Sequence, residues 1–375
     1  MESVIKINIF GDFLTKKEIP KIDNELKEII KVGDYNVVNF EAPVVSSEMR
    51  PLHKSGPAHC QISEGPHWLQ NIGFNVFTFA NNHMMDYGAE GLISTMEFFR
   101  DTNLIGAGTW EEAYKPYIIE KDGIKVALLS LTHCEFGTLT DRYDQRDISQ
   151  YGTAWINHPM VDSLIVKLKN EVDHIIVIAH AGIENIEQPL PEWRDRYHSL
   201  VDLGCSAVIA GHPHIIQGYE EYEGSPIFYS LGNFFFPKNT RKNLPWYHSL
   251  MVNLQITKDR ISYSYRPLVF ENLYIRIDES DYCRNYMDKI LKVLKDEKQY
   301  LDYVNKKCLE LQPFYDYMFY ASGYFPLNMS KLLKRILYLP YSFKKKTCTH
   351  LINNIRCESH RWAIIRSLKL RNTIQ

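Results

Sequence analysis

FNVFTFANNHMMDYG, residues 74–88, sets an apolar, aromatic run directly against two asparagines, a histidine and an aspartate. The chain then continues into EGLISTMEFFRDT, residues 90–102, whose apolar residues recur at three- and four-residue spacing. A strand, a polar tip and a helix follow one another without a linker. The same order recurs along the chain. VIKINIF (4–10), YNVVNF (35–40), KVALLSLT (125–132), HIIVIAH (174–180) and SAVIAGH (206–212) read as strands. IDNELKEIIK (22–31), MVDSLIVKLKNE (160–171) and EWRDRYHSLVDLG (192–204) read as helices between them. This alternation predicts a layered α/β domain. KDG, residues 121–123, lies between the strand-like YIIE and IKVALLS and predicts a hairpin, so the sheet is expected to be mixed.

SPIFYSLGNFFF (225–236), HSLMVNLQIT (248–257) and ISYSYRPLVF (261–270) add strands that close this domain near residue 272. The composition changes there. Residues 281–312 have helical periodicity, and the last forty or so are rich in lysine and arginine. The expected organisation is a 1–272 α/β domain and a 273–375 basic, helical C-terminal extension. KLLKRILYLPYSFKKK (331–346) mixes lysines with Leu, Tyr and Phe, as an interfacial helix does. A solvated face packing a few apolar side chains on the main domain is the preferred reading. Docking on a membrane enzyme complex is a further reading of this tail.

A formal net charge of −2 over 375 residues gives no global attraction to nucleic acid, and no nucleic-acid partner is expected. Seven scattered cysteines with no Cys-x-x-Cys pair argue for a reducing compartment. MESVIKINIFGDF enters a strand pattern at once, without a signal-peptide pattern, and the apolar runs are too short to span a bilayer. A cytoplasmic protein, at most peripheral to a membrane, is the expectation.

The strand ends carry the chemistry. Asp12 follows the first run, Asn39 and Glu41 the second, Asn82 and His83 the third, His180 the fourth, and His212 and His214 the fifth. Asn, Asp and Gly commonly make turns, and a single histidine after a strand is usually a satisfied one. Successive strand ends that all carry carboxylate, amide or imidazole are not explained by independent turns. In α/β sheets, ligands bind outside the carboxyl ends of the strands. Pro213 favours extended geometry at His212, and extended residues two apart project to one side. Mixed oxygen and nitrogen ligands without cysteine suit one or two divalent ions of manganese, iron or zinc. Two such ions sharing a carboxylate would activate water and clamp a phosphoryl group.

GDF (11–13), NFEAPV (39–44), ANNHMMDYG (80–88), GAG with EEA (106–113), AHAGIE (179–184), GHPHIIQG (211–218) and SLGNFFF (230–236) occur in an order that resembles the bacterial capsule-synthesis family CapA. That family is associated with poly-γ-glutamate capsules and falls within the calcineurin-like metallophosphoesterase superfamily. The resemblance implies a four-layer α-β-β-α sandwich with two mixed sheets. It also implies that Asp12, Glu41, Asn82, His180, His212 and His214 are metal ligands, with Glu41 where the superfamily has a bridging aspartate. By the same resemblance His83 is the proton donor to the leaving oxygen and Asp86 orients it. The chain departs from the superfamily at the first motif, Asp-x-His, where Asp12 is followed by Phe13 and Leu14. It departs from the capsule family at Ala181, where tryptophan is usual.

Lys54 in the loop HKSGPAHC, His133 and Glu135 in LTHCEFG, and Glu184 in AHAGIE are second-rank candidates for contact with substrate. Asn233 in SLGNF is assigned to tying backbone near the site. The expected function is a metal-dependent phosphoesterase-type hydrolase in capsule or other surface-polymer biosynthesis, with an anionic polymer or phosphoester substrate. The alternative is a non-catalytic, metal-stabilised accessory of a capsule-polymer synthesis complex. Cleavage or transfer at an amide of a γ-linked glutamate polymer is a third reading.

Overall fold

The structure is a computed structural model and describes residues 3–140, 151–238, 244–321 and 341–372. Its strands collect into two large mixed sheets. The first runs, edge to edge, Lys21–Ile22, Tyr274–Ile277, Ile261–Glu271, His248–Ile256, Ile5–Phe13, Tyr35–Phe40, Val76–Thr78 and Asn103–Ile105. Asn233–Phe235 also pairs, in parallel, with Ile5–Phe13. The second runs Tyr219–Tyr222, Ser225–Phe228, Ala207–Gly211, His174–His180, Ile124–Thr132 and Tyr117–Lys121. A small third sheet of Ala107–Gly108, Gly152–Ala154 and Thr138–Leu139 adds to the expected pair.

Three apolar clusters mark the interfaces between four layers. Ile7, Ile9 and Val37 of the first sheet meet Val126, Leu128 and Ile176 of the second. The outer face of the first sheet buries Phe13, Phe40 and Phe77 against Leu26 and Ile30 of helix Asn24–Val32 and Leu69 of helix Glu64–Ile72. The outer face of the second buries Val177 and Val208 against Ile165 of helix Pro159–Leu168 and Leu200 of helix Pro191–Leu203. This is the expected α-β-β-α sandwich. His174–His180 is buried at every position, so its sequence is apolar throughout instead of alternating, as a central parallel strand requires. The KDG hairpin forms, with Tyr117–Lys121 antiparallel to Ile124–Thr132 and both Asp122 and Gly123 at positive φ.

The C-terminal boundary differs from the sequence expectation. Tyr274–Ile277, past residue 272, is a strand of the first sheet. The helical run after it breaks in two, Asp281–Lys295 and Glu297–Ala321. Asp296 explains the break, because its carboxylate accepts from Gln299 N at 3.0 Å and so caps the second helix. Both helices join the main core. Cys283, Met287 and Ile290 enter the inter-sheet cluster, and Tyr300, Val304 and Cys308 enter the outer cluster of the second sheet. Residues 322–340 hold most of the basic stretch 331–346, so its reading as an interfacial helix lies outside the described residues. Helices Tyr341–Arg356 and Glu358–Asn372 return to the domain, the second burying Glu358, Ser359, Ala363 and Ser367. Among the described residues, no helix is long and apolar enough to cross a membrane.

Candidate metal centre and its proton-transfer dyad

Parallel pairing places the ends of Ile5–Phe13, Tyr35–Phe40 and Val76–Thr78 side by side, and the ends of His174–His180 and Ala207–Gly211 face them from the second sheet. Gly11 lets the Gly232 backbone close on the end of Ile5–Phe13, since a Cβ there would stand 1.9 Å from Gly232 O. Asp12 N then donates to Gly232 O at 3.1 Å, which fixes the carboxylate at the rim.

Asp12, Glu41 and His180 form one buried cluster whose ligand atoms lie within 4.8 Å of one another. His180 Nδ1 is 3.5 Å from Asp12 Oδ1, and its Nε2 is 3.7 Å from Glu41 Oε1. His214 repeats this arrangement from the other side, with Nδ1 3.5 Å from Asp12 Oδ2 and Nε2 3.7 Å from Glu41 Oε1. Asn82 Oδ1 and His212 Nδ1 lie 3.1 and 3.2 Å from His180 Nε2. All six residues named as ligands from the sequence therefore meet in one place.

The electrostatics are those of a site short of positive charge. Burial and the neighbouring Asp12 raise the Glu41 carboxyl well above its usual range. Burial also works to raise Asp12, but His180 and His214 outweigh it and hold that carboxyl low. Burial tends to lower His214, yet Glu41 and Asp12 lift it to about 10. Neither oxygen of Glu41 has a hydrogen-bond partner, although the residue is fully buried. An unsatisfied buried carboxylate is costly, and a cation held by these donors removes that cost. Separations of 3.1–3.7 Å also suit ligands sharing an ion at about 2.1 Å.

His212 and His214 are not the extended pair that the proline implies. Their φ angles are +92° and +60°, in the left-handed region. His212 N donates to Asp12 Oδ2 at 3.2 Å, and Asn233 Oδ1 is 2.9 Å from His214 Nδ1. These hydrogen bonds hold the His212 backbone and the His214 imidazole in place, at the expense of backbone ease. Asn233 also donates to the carbonyls of His214 and Trp246, at 3.0 and 3.1 Å, which ties backbone at the site.

At the cluster's edge, His83 Nδ1 donates to Asp86 Oδ2 at 2.7 Å, leaving Nε2 as the working nitrogen. Asn81 shapes this turn. Its Oδ1 accepts from His83 N and Met84 N, and its amide donates to Asn39 Oδ1 and Phe40 O. Gly88, at φ +68°, lets the chain turn into the helix beyond. Burial, followed by the charge of Lys54, lowers His83 well below the usual imidazole range. Asp86 thus orients the ring without making it a strong base.

The second-rank candidates divide. The Lys54 side chain is 4% exposed and ion-paired with Asp86, with Nζ 3.2 Å from His83 Nδ1. Its ammonium is turned towards the dyad. His133 is fully buried, with its ring centroid 4.4 Å from that of His212, which corrects its reading as a cleft residue. Glu135 is 7% exposed and lies 3.6 Å from His133. Glu184 lines a cleft of about 530 Å³ together with His83, His214 and His59. Lys16, Lys17 and Lys238 stand around the same cleft, and sequence reasoning passed over them. It also passed over His59, whose N–H donates to Asp86 Oδ2 at 2.6 Å; its signal was its place in the HKSGPAHC loop.

Residues 7–238 match the family described as bacterial capsule synthesis protein PGA_cap. The chain is 28% identical over 251 residues to the capsule biosynthesis protein CapA of Bacillus anthracis, covering 62% of this chain and 60% of that protein. It is 29% identical over 258 residues to the PGA biosynthesis protein CapA of Bacillus subtilis (strain 168), covering 63% and 64%. The chain thus spans about three fifths of the length of these curated relatives. Among solved structures, a hypothetical protein from Thermus thermophilus has a TM-score of 0.43 at 12% identity, over 71% of this chain and 99% of that one.

Proposed function

This chain belongs to the bacterial capsule synthesis family PGA_cap, and on that premise we propose that it is a metal-dependent phosphoester hydrolase of surface-polymer biosynthesis. The observation that carries the proposal is the fully buried Glu41, with both oxygens unpartnered and Oε1 3.7 Å from His180 Nε2 and His214 Nε2, beside the His83–Asp86 pair.

Asp12, Glu41, Asn82, His180, His212 and His214 would hold one or two divalent ions of manganese, iron or zinc. When bound, such an ion supplies Lewis-acid polarisation of a phosphoryl oxygen and a more acidic water. The chain's own residues do the rest. His83 moves a proton at Nε2, because Nδ1 is committed to Asp86, and it protonates the departing oxygen. Lys54 neutralises Asp86 and keeps the dyad rigid. Lys16, Lys17 and Lys238 around the cleft favour an anionic substrate. A phosphoester or an anionic polymer is the class they select, and a membrane-associated polymer-synthesis complex is the proposed setting.

The accessory reading has one observation in its favour. Leu14, where the superfamily has a first-motif histidine, is fully buried in the aromatic core and offers no ligand. The test is turnover of generic phosphomonoesters and phosphodiesters, and of γ-linked polyglutamate, by metal-depleted protein reconstituted with manganese or zinc. Phosphoester activity lost in His83→Ala, with metal content kept, supports the hydrolase. Stoichiometric metal with no phosphoester turnover moves the assignment to the accessory role. Cleavage of polyglutamate alone moves it to amide chemistry.

A further inference from the structure

A second cluster of metal-competent side chains lies behind His212, where the end of strand Ile124–Thr132 meets the junction of the last two helices. His133 and Cys357 are fully buried and Glu135 nearly so. Trp193 Nε1 donates to Ser359 Oγ at 2.9 Å, and that hydroxyl lies 3.2 Å from His133 Nδ1. With Nδ1–H donating to Ser359, His133 Nε2 presents a lone pair. No hydrogen bond reaches Nε2, and Glu135 Oε1 stands 3.6 Å away. Two buried acceptors facing each other repel unless something positive lies between them. At 3.6 Å the gap is too long for a shared proton. It is close to the roughly 3.4 Å that separates nitrogen and oxygen ligands around a tetrahedral ion with bonds of about 2.1 Å. Cys357 Sγ is 3.9 Å from His133 Nδ1, on the other edge of the ring from Glu135, and one ligand atom from each of the three residues falls within 4.8 Å of the others.

We infer that His133, Glu135 and Cys357 form a second cation site, for zinc or another borderline divalent metal, which fastens the C-terminal helices to the α/β domain. A thiolate, an imidazole and a carboxylate suit zinc. When Ser359 Oγ accepts from Nδ1–H, Nε2 is left free to bind, as an outer-shell partner does for a ligating histidine. The adjacent Glu358 accepts from Cys134 N at 2.8 Å, which sets the junction against the strand end before any ion arrives. The site is split between residues inside the family match, 7–238, and Cys357 beyond it, so the α/β domain alone cannot complete it.

Cobalt(II) titration of the full chain tests this independently of activity. The main cluster contains no sulfur, but His248, Asp278 and Cys283 form another buried group with a thiol, so it is the part of a near-ultraviolet thiolate-to-cobalt band removed by Cys357→Ala that reports on the second site. The band is expected in the wild-type protein and in His214→Ala, and is diminished in Cys357→Ala. Glu135→Gln is expected to weaken the cobalt affinity read from that band at least tenfold. Cobalt uptake by the wild type with no thiolate band overturns the inference, and so does a band undiminished in Cys357→Ala. If Cys357→Ala fails to fold, the wild-type titration and Glu135→Gln decide.

Discussion

The side-chain amide of Asn39 donates to Asp12 Oδ1 at 2.8 Å. The same nitrogen lies 3.1 Å from His180 Nδ1, so one buried amide spans a candidate ligand from each sheet. Its oxygen accepts from Asn81, the residue that shapes the His83 turn. Asn39→Ala is therefore expected to act on metal and on stability together. It strands buried partners and should cost about 2–3 kcal/mol in urea denaturation. Loss of an outer-shell partner should weaken metal affinity roughly 10–100-fold. Unchanged metal affinity in a folded Asn39→Ala protein would show that the amide is structural only.

Lys54 is expected to act on turnover and not on substrate binding. Its ammonium is buried against Asp86 and His83, away from the open cleft. Lys54→Met should lower kcat by at least about tenfold, as misplacing a general acid does, with KM within about twofold. Metal content should not change. Steady-state kinetics on a phosphoester substrate check this, and a rise in KM at constant kcat would return Lys54 to the substrate-contact role.

The candidate ligands at the strand ends were legible because each interrupts an apolar run at the point where a strand must stop. A carboxylate or imidazole there stands out against Val, Ile and Phe. The Asp122–Gly123 turn was legible because its positive φ angles demand such residues. Long-range closure was not legible. Glu358 reaches Cys134 across 224 residues, and no periodicity in either segment records that contact. Lys54 misled for a related reason. A lysine in a Gly/Pro loop reads as open to substrate, and only the fold shows that it pairs with the buried Asp86. His212 misled because local proline geometry gave way to a tertiary hydrogen bond with Asp12.

Acid sensitivity is expected to have a contribution far from the metal centre. Burial works to raise Glu220, but hydrogen bonds from Arg194, Tyr229 and His198 overcome it and lower the carboxyl from 4.5 to about 2. A folded value below the unfolded one means stability that is present above about pH 4.5 and lost as pH falls towards 2. Solvent screening limits the contribution to roughly 1–2 kcal/mol. Arg194→Met removes the bidentate partner, with contacts at 2.6 and 3.1 Å, and should reduce the loss of stability between pH 5 and 3. Urea midpoints at pH 6, 4 and 3 measure it. An identical acid slope in wild type and variant would remove Glu220 from the account.

Glu358 is expected to be the costliest single carboxylate in the C-terminal helices. It is 1% exposed and accepts from Cys134 N at 2.8 Å, from Asn157 Nδ2 at 3.0 Å and from the Trp155 indole. These donors belong to the strand end and loop beside the candidate metal centre, so the carboxylate holds the helix start against that wall. Glu358→Ala leaves three donors unpaired and should destabilise the protein by about 3 kcal/mol or more. Glu358→Gln keeps one acceptor oxygen and the side-chain volume, and should recover about half of that loss. Urea denaturation of both variants checks the order. Equal stability of Glu358→Ala and wild type would mean that the final helix contributes no hold on the domain through this residue.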